Sequence, residues 1–448
     1  MSHYKPYPAY RPSGVEWIGD VPSTWDVKRL RQVASFTNSG IDKKSYEDQE
    51  QVSLCNYTDV YYNEFITADM PFMQATASKD EIALFTLKKG DLIITKDSED
   101  PSDIGIPALV VEDAPGVVCG YHLTLIRSAE LATARLLHRA LQSTPTHAYF
   151  FIESPGITRY GLGQDVIGDL RVCMPPENEV VRIADCIDRE TQRIDSLISK
   201  KTRFVELLKE KRQALITHAV TKGLDPKVKM KPSGVDWIGD VPESWSFQPI
   251  KFLASIGNGS TPTKDNTKYW ENGHFPWLTS SCVNQDVVTS ADQFVTDAAL
   301  GECHLPVITP PAVLVGITGQ GRTRGMASTL LIEATINQHI AFLKPEPQKL
   351  LIEFLRMFLD ASYGWLRFES EAVGSTKGAI TCEQLGNTKM PLPSILEQQQ
   401  ILDRVRNKLS RIDRLSEKTQ SSIDLLKERR SAFITAAVTG QIDLRESV

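Results

Sequence analysis

From residue 177 onward the apolar residues settle into a helical spacing. Ile183, Ile187, Ile194, Leu197, Phe204, Leu208 and Leu215 recur at intervals of three, four or seven, with polar residues between them. That spacing keeps one stripe of a helix apolar, and its heptad form predicts a helix that packs lengthwise on another. The stripe runs from about Glu177 to Thr221, is interrupted by Glu190, Lys201 and Lys211, and has Gly223 beyond it as a C-terminal stop. It returns from about Ser394 to Thr439 as Ile401, Val405, Ile412, Leu415, Leu426 and Phe433. There Ser394 and Glu397 have capping-box spacing, and Gly440 follows. Ahead of the first helix the pattern is different. Apolar runs of strand length at 52–54, 92–95, 108–111 and 123–126 stand between turns rich in Gly, Asp and Pro. They predict a β-rich globular part, with one helix around residues 132–141, closing near Met174-Pro175-Pro176.

The whole pattern is written twice. Residues 207–221 read LLKEKRQALITHAVT and residues 425–439 read LLKERRSAFITAAVT, identical at 11 of 15 positions at an offset of 218. Residues 12–22, PSGVEWIGDVP, and 232–242, PSGVDWIGDVP, differ only by Glu16 against Asp236. A repeat of this kind overrides any domain count taken from length. The expected division is a globular domain at 12–176, a helix at 177–223, a second globular domain at 232–393 and a second helix at 394–440. The first helix leaves one globular domain for the other, and the second helix begins at the latter. Packed together they must run antiparallel. The expected fold class is therefore α+β (mixed α/β): two similar globular domains separated by a long antiparallel coiled-coil helix pair, with a pseudo-twofold internal repeat. A coiled coil that only spaces or oligomerises is the alternative at this point.

The two globular domains share a plan. Residues 90–127 and 311–345 both give strand, polar turn, strand and a His-led strand, His122-LTLIR in one and His339-IAFLK in the other. Each His suits the start of a strand. The loops diverge most, as Lys96-DSEDPSD against Thr318-GQGRTR shows. One scaffold with different loops predicts two binding sites that read different things.

Composition adds bounds. The chain has 448 residues, 41% hydrophobic and 24% charged, with a net charge of −6, and reads as a soluble protein with chain enough for sizeable cores. No apolar run approaches the roughly 18 residues of a membrane span, and the polar leader at 1–14 has no signal-peptide core, so a cytoplasmic location is expected. Seven cysteines without a C-x-x-C pair read as reduced thiols, and Cys303-His304 lacks ligand-spaced partners for a metal. The acidic balance argues against a protein that binds nucleic acid alone through a basic surface. Charge is nonetheless local, since residues 200–231 hold ten Lys/Arg against three Asp/Glu.

No catalytic signature stands out. Gly316-ITGQGRT-Thr323 approaches a phosphate-binding loop, but Arg322 replaces the lysine and the following GMAST shows no helical face. A nucleotide-dependent enzyme would need Arg322 in that lysine's role. Residues 257–277, GNGSTPTKDNTKYWENGHFPW, interleave small polar residues with Lys264, Lys268, Tyr269 and Trp270, a composition suited to phosphates and base edges or to a Trp-anchored surface loop.

Together these residues resemble one family. The doubled PSGVEWIGDVPSTW and PSGVDWIGDVPESW, GSTP…YW…PW and Gly374-STKGAI-Ile380 in the second copy, and the doubled tails are similar to the specificity subunit of type I restriction–modification systems. The resemblance implies two target-recognition domains, each reading half of a split site in double-stranded DNA, and no enzyme activity in the chain itself. It implies two methyltransferase subunits docked on the helices, with restriction subunits (ATP-dependent translocase and nuclease) joining them. S-adenosylmethionine, ATP and Mg²⁺ would belong to those partners. For the second copy the candidate DNA contacts are Thr261, Lys264, Lys268, Gln320, Arg322, Arg324, Thr376 and Lys377. The first copy departs from the family pattern, with SFTNSGIDKKSY in place of GSTP and Arg159-YGLGQ in place of GSTK; its candidates are Lys43, Lys44, Lys96 and Arg159. Phe204, Leu208, Leu215, Leu426 and Phe433 are the helix residues expected to meet partners. A coiled-coil adaptor without DNA specificity is the competing function.

Overall fold

The computed structural model of the chain describes residues 4–319, 321–372 and 378–445. It forms two compact units, unit 1 from Met1–Thr202 with Gln420–Val448 and unit 2 from Arg203–Thr419. Both boundaries fall inside long helices, Glu177–Lys222 and Ile395–Val438. Each unit thus combines one globular part with a portion of both helices.

In unit 1 a five-stranded sheet has the order Ala34–Asn38, Leu123–Ser128, Leu92–Thr95, Pro107–Val110, Phe65–Ile66, antiparallel except for the last pair. Leu92–Thr95 and Pro107–Val110 are buried at every residue, which is why they read as unbroken apolar runs. Leu92, Ile94 and Ile126 point to a core shared with Leu137 and Leu141 of the helix Leu131–Leu141. Ile93 and Leu125 point the other way, onto Val52, Leu54 and Val118. The latter come from a second sheet, ordered Met73–Ala77, Glu50–Cys55, Ala114–Cys119, Thr86–Leu87.

Unit 2 repeats the larger sheet strand for strand: Ala254–Asn258, Ile340–Pro345, Ala312–Gly316, Ala327–Leu330, Val287–Val288, again with only the last pair parallel. Its second sheet keeps three strands, Gln293–Val295, Phe275–Leu278 and Thr335–Ile336.

The duplicated PSGV(E/D)WIGDVP segments clasp the ends of the long helices. Trp25 and Trp245 are fully buried, and Trp245 Nε1 donates to Glu397 Oε1 at 2.9 Å. Glu397 is thereby used by the clasp, and only the Ser394 half of the expected capping box forms, at 3.3 Å. Gly223 and Gly440 end the two helices at φ of 72° and 70°. A Cβ at Gly440 would lie 2.3 Å from Pro22, and one at Gly223 would lie 3.1 Å from Trp245. Glycine there serves both the left-handed stop and the close approach. The leader is also more structural than its polarity suggests. Tyr7 is buried against Trp25, Tyr4 packs on Phe433, and the Lys5 carbonyl accepts from Asp443 N at 2.8 Å.

The long helices pair antiparallel within each unit. In unit 1 Arg430 donates to Asp195 at 2.8 Å while Glu179, earlier on the first helix, meets Arg445, beyond the end of the second. In unit 2 Arg212 meets Asp413 at 3.2 Å. These two pairs are the same pair written twice, because the 218-residue offset carries Arg212 to Arg430 and Asp195 to Asp413. The inner seam has a stricter period than the apolar residues alone suggest. It runs Ile187, Thr191, Ile194, Ile198, Lys201, Val205, Leu208, Arg212, Leu215, then on the second helix Val405, Leu409, Ile412, Ser416, Thr419, Ile423, Leu426, Arg430, Phe433. Spacings of four and three alternate throughout. Leu197, Phe204 and Leu415, expected in the seam, are 41%, 44% and 40% exposed. They lie one residue before Ile198, Val205 and Ser416, on the flank. A polar residue at an inner seam position is a recognised way of fixing register, and the seam holds several, the two arginines among them.

A second ionic set ties each globular part to its helices. In unit 1 Arg139, 3% exposed, meets Asp188 at 2.9 Å and also Glu64, which in turn accepts from Arg430 at 2.5 Å. Arg135 meets Asp185 and Asp188. Burial raises the pKa of Glu64, but Arg139 and Arg430 outweigh it and hold the carboxyl below its usual range. In unit 2 the charges are exchanged. Aligning the helix residues RLLHR (135–139) with RMFLD (356–360) sets Asp360 in place of Arg139, and the 218 offset sets Arg406 in place of Asp188. Asp360 accepts from Arg356 at 3.0 Å and shares a cavity of ~660 Å³ with Arg406. Arg406 meets Asp403 on its own helix at 3.6 Å, so in unit 2 each residue of the exchanged pair has a partner of its own.

Two predictions follow from this network. Arg139→Asp should cost unit 1 about 3 kcal/mol, the scale for breaking a buried ion pair. Adding Asp188→Arg restores opposite charges at two positions that touch in unit 1 and should recover a measurable part of the loss in a double-mutant cycle of denaturant midpoints. Strictly additive losses would contradict that coupling. The other concerns His138, which is buried where unit 2 has Leu359. Burial lowers its pKa to about 3. The unfolded chain, with an ordinary value near 6.5, binds the proton first as pH falls, so this group's stability is full above about 6.5 and declines by about 1.4 kcal/mol per pH unit below it. His138→Leu should therefore shrink the drop in melting temperature between pH 7.5 and 5.5.

Candidate nucleic-acid interface

The ends of corresponding strands carry the sites. In unit 2, Gly259 follows Ala254–Asn258 so closely over the neighbouring backbone that a Cβ would lie 1.7 Å from the Ile336 carbonyl oxygen. Only glycine permits this, and Ser260 N then donates to that oxygen at 3.1 Å. Trp277 Nε1 fixes the next carbonyl, that of Ser260, at 3.1 Å, with Trp270 edge-on at 5.0 Å. The loop so held delivers the Thr261 hydroxyl to Gln338 Oε1. Gln338 Nε2 lies 3.2 Å from His339 Nε2, and His339 Nδ1 lies 2.7 Å from Thr318 Oγ1. Thr261, Gln338, His339 and Thr318 thus form one polar chain at a surface.

Unit 1 builds a different site on the same positions. Strand register equates His122 with His339 and Asp97 with Thr318, since Thr95 pairs with Leu123 as Gly316 pairs with Ile340. His122 Nδ1 lies 2.7 Å from Asp97 Oδ1, and Arg159 donates to the same oxygen at 2.6 Å. Tyr121, equivalent to Gln338, is 49% exposed and carries Lys96 Nζ 4.6 Å above its ring. A cavity of ~440 Å³ is lined by Lys43, Lys44, Asn56, Tyr57, Tyr121 and His122. The four first-copy candidates, Lys43, Lys44, Lys96 and Arg159, therefore converge on one place: two line the cavity, and two hold side chains that line it.

The second-copy candidates are more scattered. Thr261 is in the polar chain, and Lys264 is exposed on its loop. Lys268 is engaged by Glu302 at 2.5 Å, with Tyr269 donating to the same carboxylate. Arg324 is 2% exposed, pairs with Glu371 and lies beneath Gly378, so its role is to pack the loop and not to face a ligand. Arg322 is exposed but lines a cavity of ~830 Å³ with Arg212, Gln213 and Asp360. The segment after it enters the strand Ala327–Leu330, which leaves no helix N-terminus for a phosphate. Gln320, Thr376 and Lys377 lie outside the described residues. Tyr121 and Gln338 were not among the sequence candidates; the signal available was that each immediately precedes the paired His.

Among the helix candidates, Leu208 and Phe433 are buried, Phe433 in the unit 1 core, and Leu215 and Leu426 are half-buried, with Leu215 against the unit 2 core. They hold the helices together and to their domains, so they are not free for a partner. Phe204 alone of the five is exposed. It belongs to an outward stripe that heptad position assigns to one flank: Leu197 and Leu425 in unit 1, Phe204, Leu207 and Leu415 in unit 2, all at least 40% exposed. The opposite flank carries Ile216 and Ile434 into the globular cores.

Among the described residues no three His, Cys, Asp or Glu side chains converge as a metal site, and no helix is long and apolar enough to cross a membrane. The seven cysteines are unbridged.

Comparison with known proteins agrees with this architecture. The model of the type I restriction modification DNA specificity domain matches residues 242–425. The chain is 21% identical over 433 residues, 96% of either chain, to the putative type I restriction enzyme MjaX specificity subunit of Methanocaldococcus jannaschii. It is 23% identical over 191 residues to the EcoR124I/EcoR124II specificity subunit of Escherichia coli, covering 41% of this chain and 47% of that one. In fold it is similar to a chain from a structural study of complex assembly and conformational transition of the type I R-M system. There the TM-score is 0.71 at 16% identity, over 94% of this chain and 99% of that one. The HsdS subunit from Thermoanaerobacter tengcongensis is similar with a TM-score of 0.52 at 16% identity, over 94% and 98% of the respective chains.

Proposed function

Because the chain belongs to the family of type I restriction–modification DNA specificity subunits, we propose that each of its two globular parts reads one half of a bipartite site in double-stranded DNA. The observation that carries this is the pair of equivalent sites with unlike chemistry. One frame presents Tyr121, Lys96, Asp97, His122 and Arg159 in unit 1 and Gln338, Thr261, Thr318 and His339 in unit 2. These side chains sit at strand ends beside exposed Lys43 and Lys44 in unit 1 and Lys264 in unit 2, so base-edge readers are flanked by phosphate-binding charge. A spacer or adaptor would have no use for two rebuilt sites on one scaffold.

Catalysis belongs to partners in this reading. Two methyltransferase subunits dock on the outward helix stripe, and ATP-dependent restriction subunits join them; S-adenosylmethionine, ATP and Mg²⁺ serve those subunits. The net charge of −6 then ceases to be an obstacle, because the partners supply part of the phosphate neutralisation. The role puts the chain in the cytoplasm with its DNA.

The stripe makes the proposal testable. With the methyltransferase subunits co-expressed, mapped methylation should define one two-part sequence. Leu197→Glu with Leu425→Glu should remove modification at every site and release the partner on purification, while leaving the melting temperature nearly unchanged. Modification without a two-part sequence would contradict the assignment.

A further inference from the structure

The polar chain in unit 2 does more than mark a DNA-reading surface. Its hydrogen bonds run in one direction. Thr261 donates to Gln338 Oε1. Gln338 Nε2, 3.2 Å from His339 Nε2, has only N–H to offer, so the His nitrogen accepts. The imidazole is then the tautomer with hydrogen on Nδ1, and it donates to Thr318 Oγ1 at 2.7 Å. His339 N in turn donates to Asn337 Oδ1 at 3.0 Å, bracing the turn from below.

A primary amide has two N–H donors and two acceptor lone pairs. The chain uses one of each on Gln338, which leaves one donor and one acceptor on an exposed side chain whose orientation is already fixed. Adenine presents the complement in the major groove, an N6 donor and an N7 acceptor, and a glutamine amide is its usual bidentate partner. Fixing the amide beforehand removes the rotamer cost that a free surface glutamine would bear on binding.

We infer that Gln338 is the side chain through which unit 2 selects an adenine in its half-site, with Thr261 and His339 as positioning residues that hold the amide. The inference rests on the proposed DNA-reading function and deepens it. Unit 1 supports the position's role by contrast: Tyr121 occupies the equivalent place with Lys96 over its ring, and so offers no amide. The two half-sites then differ at this reading position for a physical reason.

The test uses the assembled methyltransferase complex and a pool of duplexes randomised across the site. Wild type should select one two-part sequence, and Gln338→Ala should lose the preference for adenine at a single position of one half by roughly 10- to 100-fold. The other half should be unchanged. Thr261→Val keeps the loop's shape while removing its donor, and should weaken the same preference by a smaller factor. Loss of selection at every position alike, an unchanged profile, or relaxation at a base other than adenine would overturn the assignment to Gln338. Failure of the wild-type complex to select any two-part sequence would instead remove the DNA-reading function and this inference with it.

Discussion

Every feature of this protein depends on the burial of both long helices in the core of each globular part. Unit 1 takes Ile183 and Ile187 from the first helix and Phe433 and Ile434 from the second. Unit 2 takes Ile216 and Val220 from the first and Ile401 and Val405 from the second. At about 1.5–3 kcal/mol per buried large apolar side chain, four such residues in each core outweigh any surface ion pair. The helices are therefore part of the domains they connect. Direction comes from connectivity, which makes the helices antiparallel, and the Arg–Asp pair recurs at corresponding places along them.

The same division of labour recurs at the strand ends. The five-stranded sheet, the His that opens the strand beside its centre and the position facing that His are held in common. What changes is the chemistry placed there. Asp97 with Arg159 makes a charged bracket around His122, whereas Thr318 and Gln338 make a neutral one around His339. A rigid frame with exchangeable side chains is the economical way to make two readers from one gene duplication.

Much of this was legible in the residues. The buried strands announced themselves as apolar runs, and the two helices by their doubled tails and terminal glycines. The seam's phase was not legible from apolar residues, because Thr191, Lys201, Arg212, Ser416, Thr419 and Arg430 occupy inner positions that a hydrophobic count skips. Leu197, Phe204 and Leu415 were drawn into the stripe as their apolar neighbours. Lys268 and Arg324 looked like free cations in sequence; their partners Glu302 and Glu371 lie 34 and 47 residues away and come together only on folding. The glycine of the GSTP motif has a steric reason, since a Cβ at Gly259 would meet the Ile336 carbonyl. The motifs gave no hint of Gln338, whose amide is held by Thr261 from a distant segment and by His339, itself tied to Thr318.

The central claim is that the two units read DNA independently from one shared frame. Replacing residues 257–390 with the corresponding segment of a relative that recognises a different site, then mapping the methylated sequence with the partner subunits present, tests it most directly. The account predicts a new sequence in one half of the site with the other half retained base for base. A change in both halves, from a complex that still methylates DNA, would contradict it.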